Sequence, residues 1–115
     1  MQFTILIYGE PGLFDRLTPE RQAEVMDGHH RLLEKLHADG AYEVSARLAS
    51  SATAMRLSGP AGQTVLMDGP YAETKEHFLG FYQINCADMD AALDYARIIA
   101  SDTVTLEVRP VAWSE

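Results

Sequence analysis

The segment from residue 3 to residue 8, Phe-Thr-Ile-Leu-Ile-Tyr, constrains the fold more than any other part of the chain. Side chains alternate between the two faces of a strand, so positions 3, 5 and 7 form one apolar face. Leu6 and Tyr8 lie on the opposite face, which is therefore apolar as well. A strand of this kind needs cover on both faces, as in the interior of a sheet. We therefore predict a first β-strand over residues 3–8.

A helix follows, and the local sequence marks both of its ends. Thr18 is suited to cap the helix, Pro19 to open it, and Glu20 to face the positive end of its dipole. Gly40 is the expected stop, because glycine readily adopts the left-handed conformation that ends many helices. The other predicted elements are a strand over 42–48, a hairpin of strands 54–57 and 64–67, a loop over 71–79, a strand over 80–86, a helix capped by Asp88 and a strand over 104–110.

The order of these elements is β-α-β, hairpin, β-α-β, within one domain that spans residues 1–115. This order predicts an α+β fold of the ferredoxin-like kind with an antiparallel sheet. The two predicted helices can cover only one face of the sheet, whereas the first strand needs cover on both faces. A second copy of the same sheet is the simplest cover, so we predict a homodimer.

Charge and composition exclude several classes of partner. The chain carries 17 Asp and Glu against 9 Lys and Arg, a net charge of −8, which repels the phosphate backbone of nucleic acid. The apolar start is too short for a membrane span and lacks a basic leader, so we expect no membrane association. The single Cys86 fits a reducing compartment, and a cytoplasmic location is expected. No phosphate-binding glycine loop, dinucleotide fingerprint or zinc spacing is present, so no cofactor is predicted.

Three histidines occupy the first helix. His29 falls near the centre of the apolar stripe of that helix, whereas His30 and His37 fall at its polar edge. An imidazole on a buried face needs a hydrogen-bond partner, so His29 is either a satisfied core residue or a partly buried acid/base group. His30, Glu34 and His37 share one helical face, which a metal site could use, but a solvated edge is the favoured interpretation and no metal is predicted.

The run from Asp68 to Glu76, Asp-Gly-Pro-Tyr-Ala-Glu-Thr-Lys-Glu, is the most specific motif of the chain. On its own, its first part would predict only a turn. Together with the Gly-Phe-Tyr that begins at Gly80, it resembles the DGPF domain of the YCII-related protein family. The resemblance extends to the Tyr-Gly that ends the first strand, to His29 and Gly40 in the first helix, and to residues 107–111. Tyr71 stands where the family motif usually has Phe.

This resemblance implies a dimeric α+β barrel, in which two ferredoxin-like units pack their sheets face to face. It also implies that His29 and Asp68 form an acid/base pair, in which the carboxylate fixes the imidazole tautomer and favours its charged form. Similar enzymes include cofactor-free dehydrochlorinases and isomerases of small ring compounds, and genes of the DGPF branch often lie beside extracytoplasmic-function sigma factors.

Several further residues are candidates for contact with a ligand. Glu73, Thr74 and Lys75 either line the mouth of a pocket, where Lys75 would attract an anion, or form a solvated loop. Tyr71 belongs to the same motif. Tyr8 ends the first strand, and its ring is either a ligand contact or part of the core or dimer interface. Arg109 could anchor a substrate, but a contact with Glu107 or with a second copy is favoured.

Three functions remain open from the sequence. The first is a cofactor-independent isomerase or lyase that acts on a small organic molecule with His29 as general base. The second is a ligand-binding or regulatory module linked to an extracytoplasmic-function sigma factor. The third is a structural or interaction protein. Turnover of a small molecule, as opposed to binding alone, separates the first from the second.

Overall fold

A computed structural model describes residues 1–70 and 75–114 of the chain. The predicted ligand contacts Tyr71, Glu73 and Thr74 lie outside these residues. The elements are β1 (Gln2–Gly9), α1 (Leu13–Arg16), α2 (Pro19–Ala38), β2 (Tyr42–Arg47), a 3₁₀ helix (Ser51–Thr53), β3 (Met55–Ser58), β4 (Val65–Asp68), β5 (His77–Asn85), α3 (Met89–Arg97) and β6 (Val104–Pro110).

The main sheet has four antiparallel strands in the order β2-β5-β1-β6, and β3 and β4 form a separate two-stranded sheet. This strand order confirms the predicted α+β fold of the ferredoxin-like kind. β1 lies inside the sheet, with Ile5 opposite Tyr82 of β5 and Val108 of β6. The two-faced apolar pattern of β1 thus marks an interior strand.

The core lies between one face of the main sheet and the helices α2 and α3. On β1, Phe3 is 1% exposed and Ile5 is 0% exposed, as the period-two pattern predicts. The main contribution of α2 to the core comes from Leu32 and Leu36, which are fully buried. They lie on one side of the helix because they are four residues apart. The core therefore fixes which side of α2 faces the sheet.

The predicted helix ends are confirmed. The Thr18 Oγ1 accepts a hydrogen bond from the backbone N–H of Arg21 at 3.2 Å, and Pro19 opens α2. Asp88 caps α3 in the same way, through a 2.9 Å bond from the N–H of Ala91. Gly40 has a φ of 67°, the left-handed conformation expected of a residue that follows a helix.

The structure differs from the sequence-based prediction at β5, which begins at His77 and not at residue 80. The pairing with β1 shifts between Ile7 and Tyr8, so that Ile7 faces Gly80 while Tyr8 faces Phe78. The residue between them, Leu79, is an extra one that breaks the alternation of faces. The sequence predicts a loop for the first three residues of β5 because they end a polar and charged segment, and the bulge interrupts the period-two pattern that marks a strand. The short helix α1 and the 3₁₀ helix are further elements that the sequence did not predict.

The face of the main sheet opposite the helices, here called the open sheet face, carries Thr4, Leu6, Tyr8, Phe81 and Gln83. Each of these residues is partly exposed in the single chain. The β3–β4 hairpin stands apart from the main sheet, and its large apolar side chains are all about half exposed or more: Met55, Leu57, Val65, Leu66 and Met67. Among the described residues, no helix is both long and apolar enough to cross a membrane.

Candidate active site

His29 and Tyr82 form a hydrogen-bonded pair between α2 and the main sheet. The distance from the His29 Nδ1 to the Tyr82 hydroxyl is 2.5 Å, and the two rings are nearly parallel, with an interplanar angle of 14°. His29 faces the sheet because it precedes Leu32 by three residues, which places both on one side of the helix. Tyr82 is 6% exposed and shares its side of β5 with the buried Ile84. The sequence predicted that His29 needs a hydrogen-bond partner, and this partner is the phenol of Tyr82.

Both members of this pair are neutral at neutral pH. Burial lowers the pKa of His29 below its usual 6.5, and the positive charge of Arg47 lowers that pKa further, with a smaller contribution from His30. Burial raises the pKa of Tyr82 to about 12, with Tyr42 contributing in the same direction. Proton exchange within the pair therefore starts from an uncharged imidazole and an uncharged phenol.

The two neutral groups allow two arrangements of their protons. When the Nδ1–H of His29 donates to the phenol oxygen, the Nε2 carries a lone pair and can accept a proton. When the phenol donates to Nδ1, the Nε2 carries the hydrogen and can donate it. Within the described residues, Nε2 has no hydrogen-bond partner. The pair can therefore either remove or supply a proton at the same ring nitrogen.

A cavity of about 850 Å³ extends from this pair. It lies between α2, the segment 10–17 that contains α1, the end of β2 and strand β5. A second, smaller cavity of about 170 Å³ reaches His29 from the side of the segment that follows α3. The volume of the larger cavity is in the range of small-molecule sites. Its apolar wall includes Phe14, Leu17, Val25, Met26, Leu33 and Leu48.

Arg47, at the end of β2, lines the larger cavity. Its guanidinium carbon lies 5.2 Å from the centre of the Phe14 ring, which is the geometry of a cation–π contact. The side chain has no carboxylate within salt-bridge distance among the described residues. The site therefore combines a neutral imidazole, a phenol and a guanidinium around one cavity.

Comparison with known proteins identifies the family. The sequence profile of the YCII-related domain matches residues 1–111. The chain belongs to the YCII-related family. It is also similar to an uncharacterised protein of Rhizobium meliloti (strain 1021), with 38% identity over 115 residues that cover 97% of this chain and 93% of the relative. The resemblance found in the sequence is thus confirmed at the level of the family.

The structure of this YCII-related protein does not bring Asp68 to His29 within the described part of the chain. Asp68 is exposed at the end of β4, opposite Met55, and it does not line the cavity. The described hydrogen-bond partner of the His29 ring is Tyr82. The pairing of His29 with Asp68 stays a prediction.

Of the remaining candidate residues, His30 lines the larger cavity, and the others lie away from it or outside the described residues. Lys75 is exposed, just before β5. Tyr8 lies on the open sheet face, where its ring centre is 5.7 Å from that of Phe78. His30 and His37 are exposed at the polar edge of α2, and the His37 ring lies 4.4 Å from that of Tyr42. In the described ranges, no three side chains of the metal-binding types lie together.

Sequence analysis missed three members of this site, namely Tyr82, Arg47 and Phe14. One signal was available for Tyr82, which shares a strand face with Ile84 and so had to point toward the helices. No comparable signal marked the other two. Arg47 and Phe14 meet because the segment before α2 folds back over the end of β2, and this contact between distant parts of the chain leaves no local pattern.

Proposed function

We propose that this YCII-related protein is a cofactor-independent acid/base enzyme that acts on a small organic molecule, with His29 as the group that transfers the proton. The observation that carries the proposal is a half-buried, neutral imidazole that is bonded to Tyr82 and lines a cavity of about 850 Å³. A general base works best when it is neutral near the working pH and held in one orientation. His29 has both properties.

The proposed reaction is an isomerisation or an elimination. His29 donates its Nδ1–H to the Tyr82 oxygen, and the lone pair of Nε2 takes a proton from a carbon of the substrate. In an isomerisation, the imidazolium returns this proton to another carbon or to an oxygen, and the substrate keeps its composition. In an elimination, the electrons of the broken C–H bond form a C=C bond, and the leaving group departs with its own bonding pair. The phenol of Tyr82 holds the ring throughout.

We also propose that the chain belongs to the DGPF branch of the family, because it contains the run from Asp68 to Glu76. In that branch Asp68 would act as an acid/base group, and the expected ligand contacts are Tyr8, Tyr71, Glu73, Thr74 and Lys75. An Asp68→Asn variant tests the pairing. A carboxylate in contact with an imidazolium raises the pKa of the ring, so the pairing predicts a lower His29 midpoint in the variant. An unchanged midpoint leaves Tyr82 as the partner of His29.

The test of catalysis compares His29→Ala with His37→Ala on a panel of small lactones and halogenated ring acids. His37 is a suitable control because it lies on the same helix, is exposed and does not line the cavity. Incubation in D₂O, followed by NMR, shows deuterium uptake at carbon, double-bond migration and elimination products. Loss of a general base typically slows a reaction by about 10²–10⁴-fold. We expect this loss in His29→Ala only, and a fully active His29→Ala variant would contradict the proposal.

The cavity itself favours a second function, the binding of a small molecule without turnover. A regulatory module linked to an extracytoplasmic-function sigma factor would use the same apolar wall and the same polar groups. The panel distinguishes the two functions. Compounds that shift the resonances of His29 and Tyr82 but remain unchanged after long incubation would support the regulatory module and contradict the enzyme.

A further inference from the structure

We propose that Arg47, stacked on the ring of Phe14, anchors the carboxylate of a bound ligand, and that the ligand of the His29 cavity is a small organic anion with an apolar body. This inference rests on the proposed function for the location of the ligand, and it adds the chemical class of the ligand and the residue that selects it.

The first support is the position of Arg47, which lines the cavity and forms no ion pair with an acidic residue of the described part. Five other basic side chains form ion pairs with Asp or Glu: Arg16, Arg21, Arg31, Lys35 and Arg97. The chain carries 17 acidic residues, yet in the described part none lies within salt-bridge distance of Arg47. A guanidinium left unpaired beside a cavity is available to an anion from outside the chain.

The second support is the way in which Arg47 is held. Its guanidinium carbon lies 5.2 Å from the centre of the Phe14 ring, and the contact restricts the side chain without using its hydrogen-bond donors. Arginine presents its N–H groups as a planar fork that matches the two oxygens of a carboxylate. A stacked arginine is therefore preorganised for a planar anion such as a carboxylate.

The third support is the distribution of charge and apolar surface around the cavity. Two acidic residues of the described part line it: Glu10 already pairs with Arg16 at 2.9 Å, and Asp15 lies exposed on α1. Aliphatic side chains such as Leu17, Val25 and Leu33 form much of the wall. A ligand with one charged end and an apolar body would thus place its charge at Arg47 and bury the rest against α2.

The fourth support is the coupling between Arg47 and His29. Arg47 and His29 line the same cavity, and the positive charge of Arg47 is one cause of the lowered pKa of His29. An anion that neutralises Arg47 should remove this effect and raise the pKa of His29. A bound carboxylate would therefore make the imidazole a stronger base at the moment when the substrate is present.

Benzoate and its neutral counterpart benzamide are the probes for a test by calorimetry and NMR titration. Loss of a hydrogen bond to a charged group costs about 1.5–3 kcal/mol, so benzoate should bind Arg47→Gln roughly 10- to 100-fold more weakly than the parent. Arg47→Lys, which keeps the charge but not the fork, should fall between them. The control Arg97→Gln removes a basic residue that pairs with Asp94 on α3, and it should bind benzoate as the parent does. Benzoate should also raise the His29 midpoint in the parent but not in Arg47→Gln.

Three results would overturn the inference: equal affinity of benzoate for the parent and Arg47→Gln, equal affinity of the parent for benzoate and benzamide, or no binding of benzoate at millimolar concentration. A well-dispersed NMR spectrum of each variant shows that it is folded. The outcome is separable from that of the proposed function. In a protein that already carries His29→Ala, the Arg47→Gln substitution should still weaken benzoate binding, whatever the result of the turnover assays.

Discussion

At the scale of single residues, the protonation of His29 links the site to the stability of the fold. Because burial lowers the pKa of His29 below 6.5, the unfolded chain binds more protons at this residue than the folded chain does. The stability due to the neutral ring is therefore fully present above pH 6.5 and is lost as the pH falls through the lower folded pKa. We predict that the free energy of unfolding falls more steeply on acidification in the parent than in His29→Gln. Urea unfolding at a series of pH values measures this difference, and identical pH profiles would contradict it.

The sequence predicted which side of α2 carries His29, but it did not predict the side chains that surround the ring. Helical periodicity places His29 on the buried side of α2, and that side is set by local spacing to Leu32 and Leu36. Its partner Tyr82 is 53 residues away, so their contact depends on how α2 lies across β5. Spacing within one element predicts which way a side chain faces. It does not predict which side chain of another element it meets.

At the scale of elements, two glycines of similar burial are expected to respond in opposite directions to alanine. A Cβ at Gly80 would lie 2.5 Å from the backbone oxygen of Ala46, because β2 and β5 approach closely there. A Cβ at Gly28 in α2 would lie 3.4 Å from the backbone oxygen of Ile98, an ordinary contact.

We predict that Gly80→Ala lowers the free energy of unfolding by about 1–3 kcal/mol. Gly28→Ala should leave it unchanged or raise it by up to about 1 kcal/mol, since alanine favours a helix. Urea denaturation measures both, and a stable Gly80→Ala variant would show that the strands can separate at no cost.

Element boundaries were predictable where a local signal marks them. Thr18, Asp88 and Gly40 each act through their own side chain or backbone conformation, and α2 and α3 begin where the caps predicted. The start of β5 was not predictable in this way. Its bulge at Leu79 follows from pairing with β1, a distant strand, and the same pairing brings Phe78 beside Tyr8.

At the scale of the whole molecule, the open sheet face determines the expected assembly. The helices cover one face of the main sheet, and the other face leaves Leu6, Tyr8 and Phe81 partly exposed. We predict a homodimer that buries this face against a second copy, with a mass about twice 12.7 kDa in light scattering. Leu6→Glu should give a monomer, because it would place a charge within the interface. The matched control Leu66→Glu changes an exposed leucine of the β3–β4 hairpin and should leave the dimer intact. A parent protein that stays monomeric at all concentrations would contradict the prediction.

In the proposed function His29 is a neutral base, and its protonation depends on burial and on the charge of Arg47. An NMR titration of the His29 ring protons in the parent and in Arg47→Gln measures this dependence. We predict a midpoint below 6.5 in the parent and a higher midpoint in Arg47→Gln, where the neighbouring positive charge is gone. Arg97→Gln serves as the control and should reproduce the parent. A parent midpoint at or above 6.5 that does not move in Arg47→Gln would contradict a neutral His29 under the influence of Arg47.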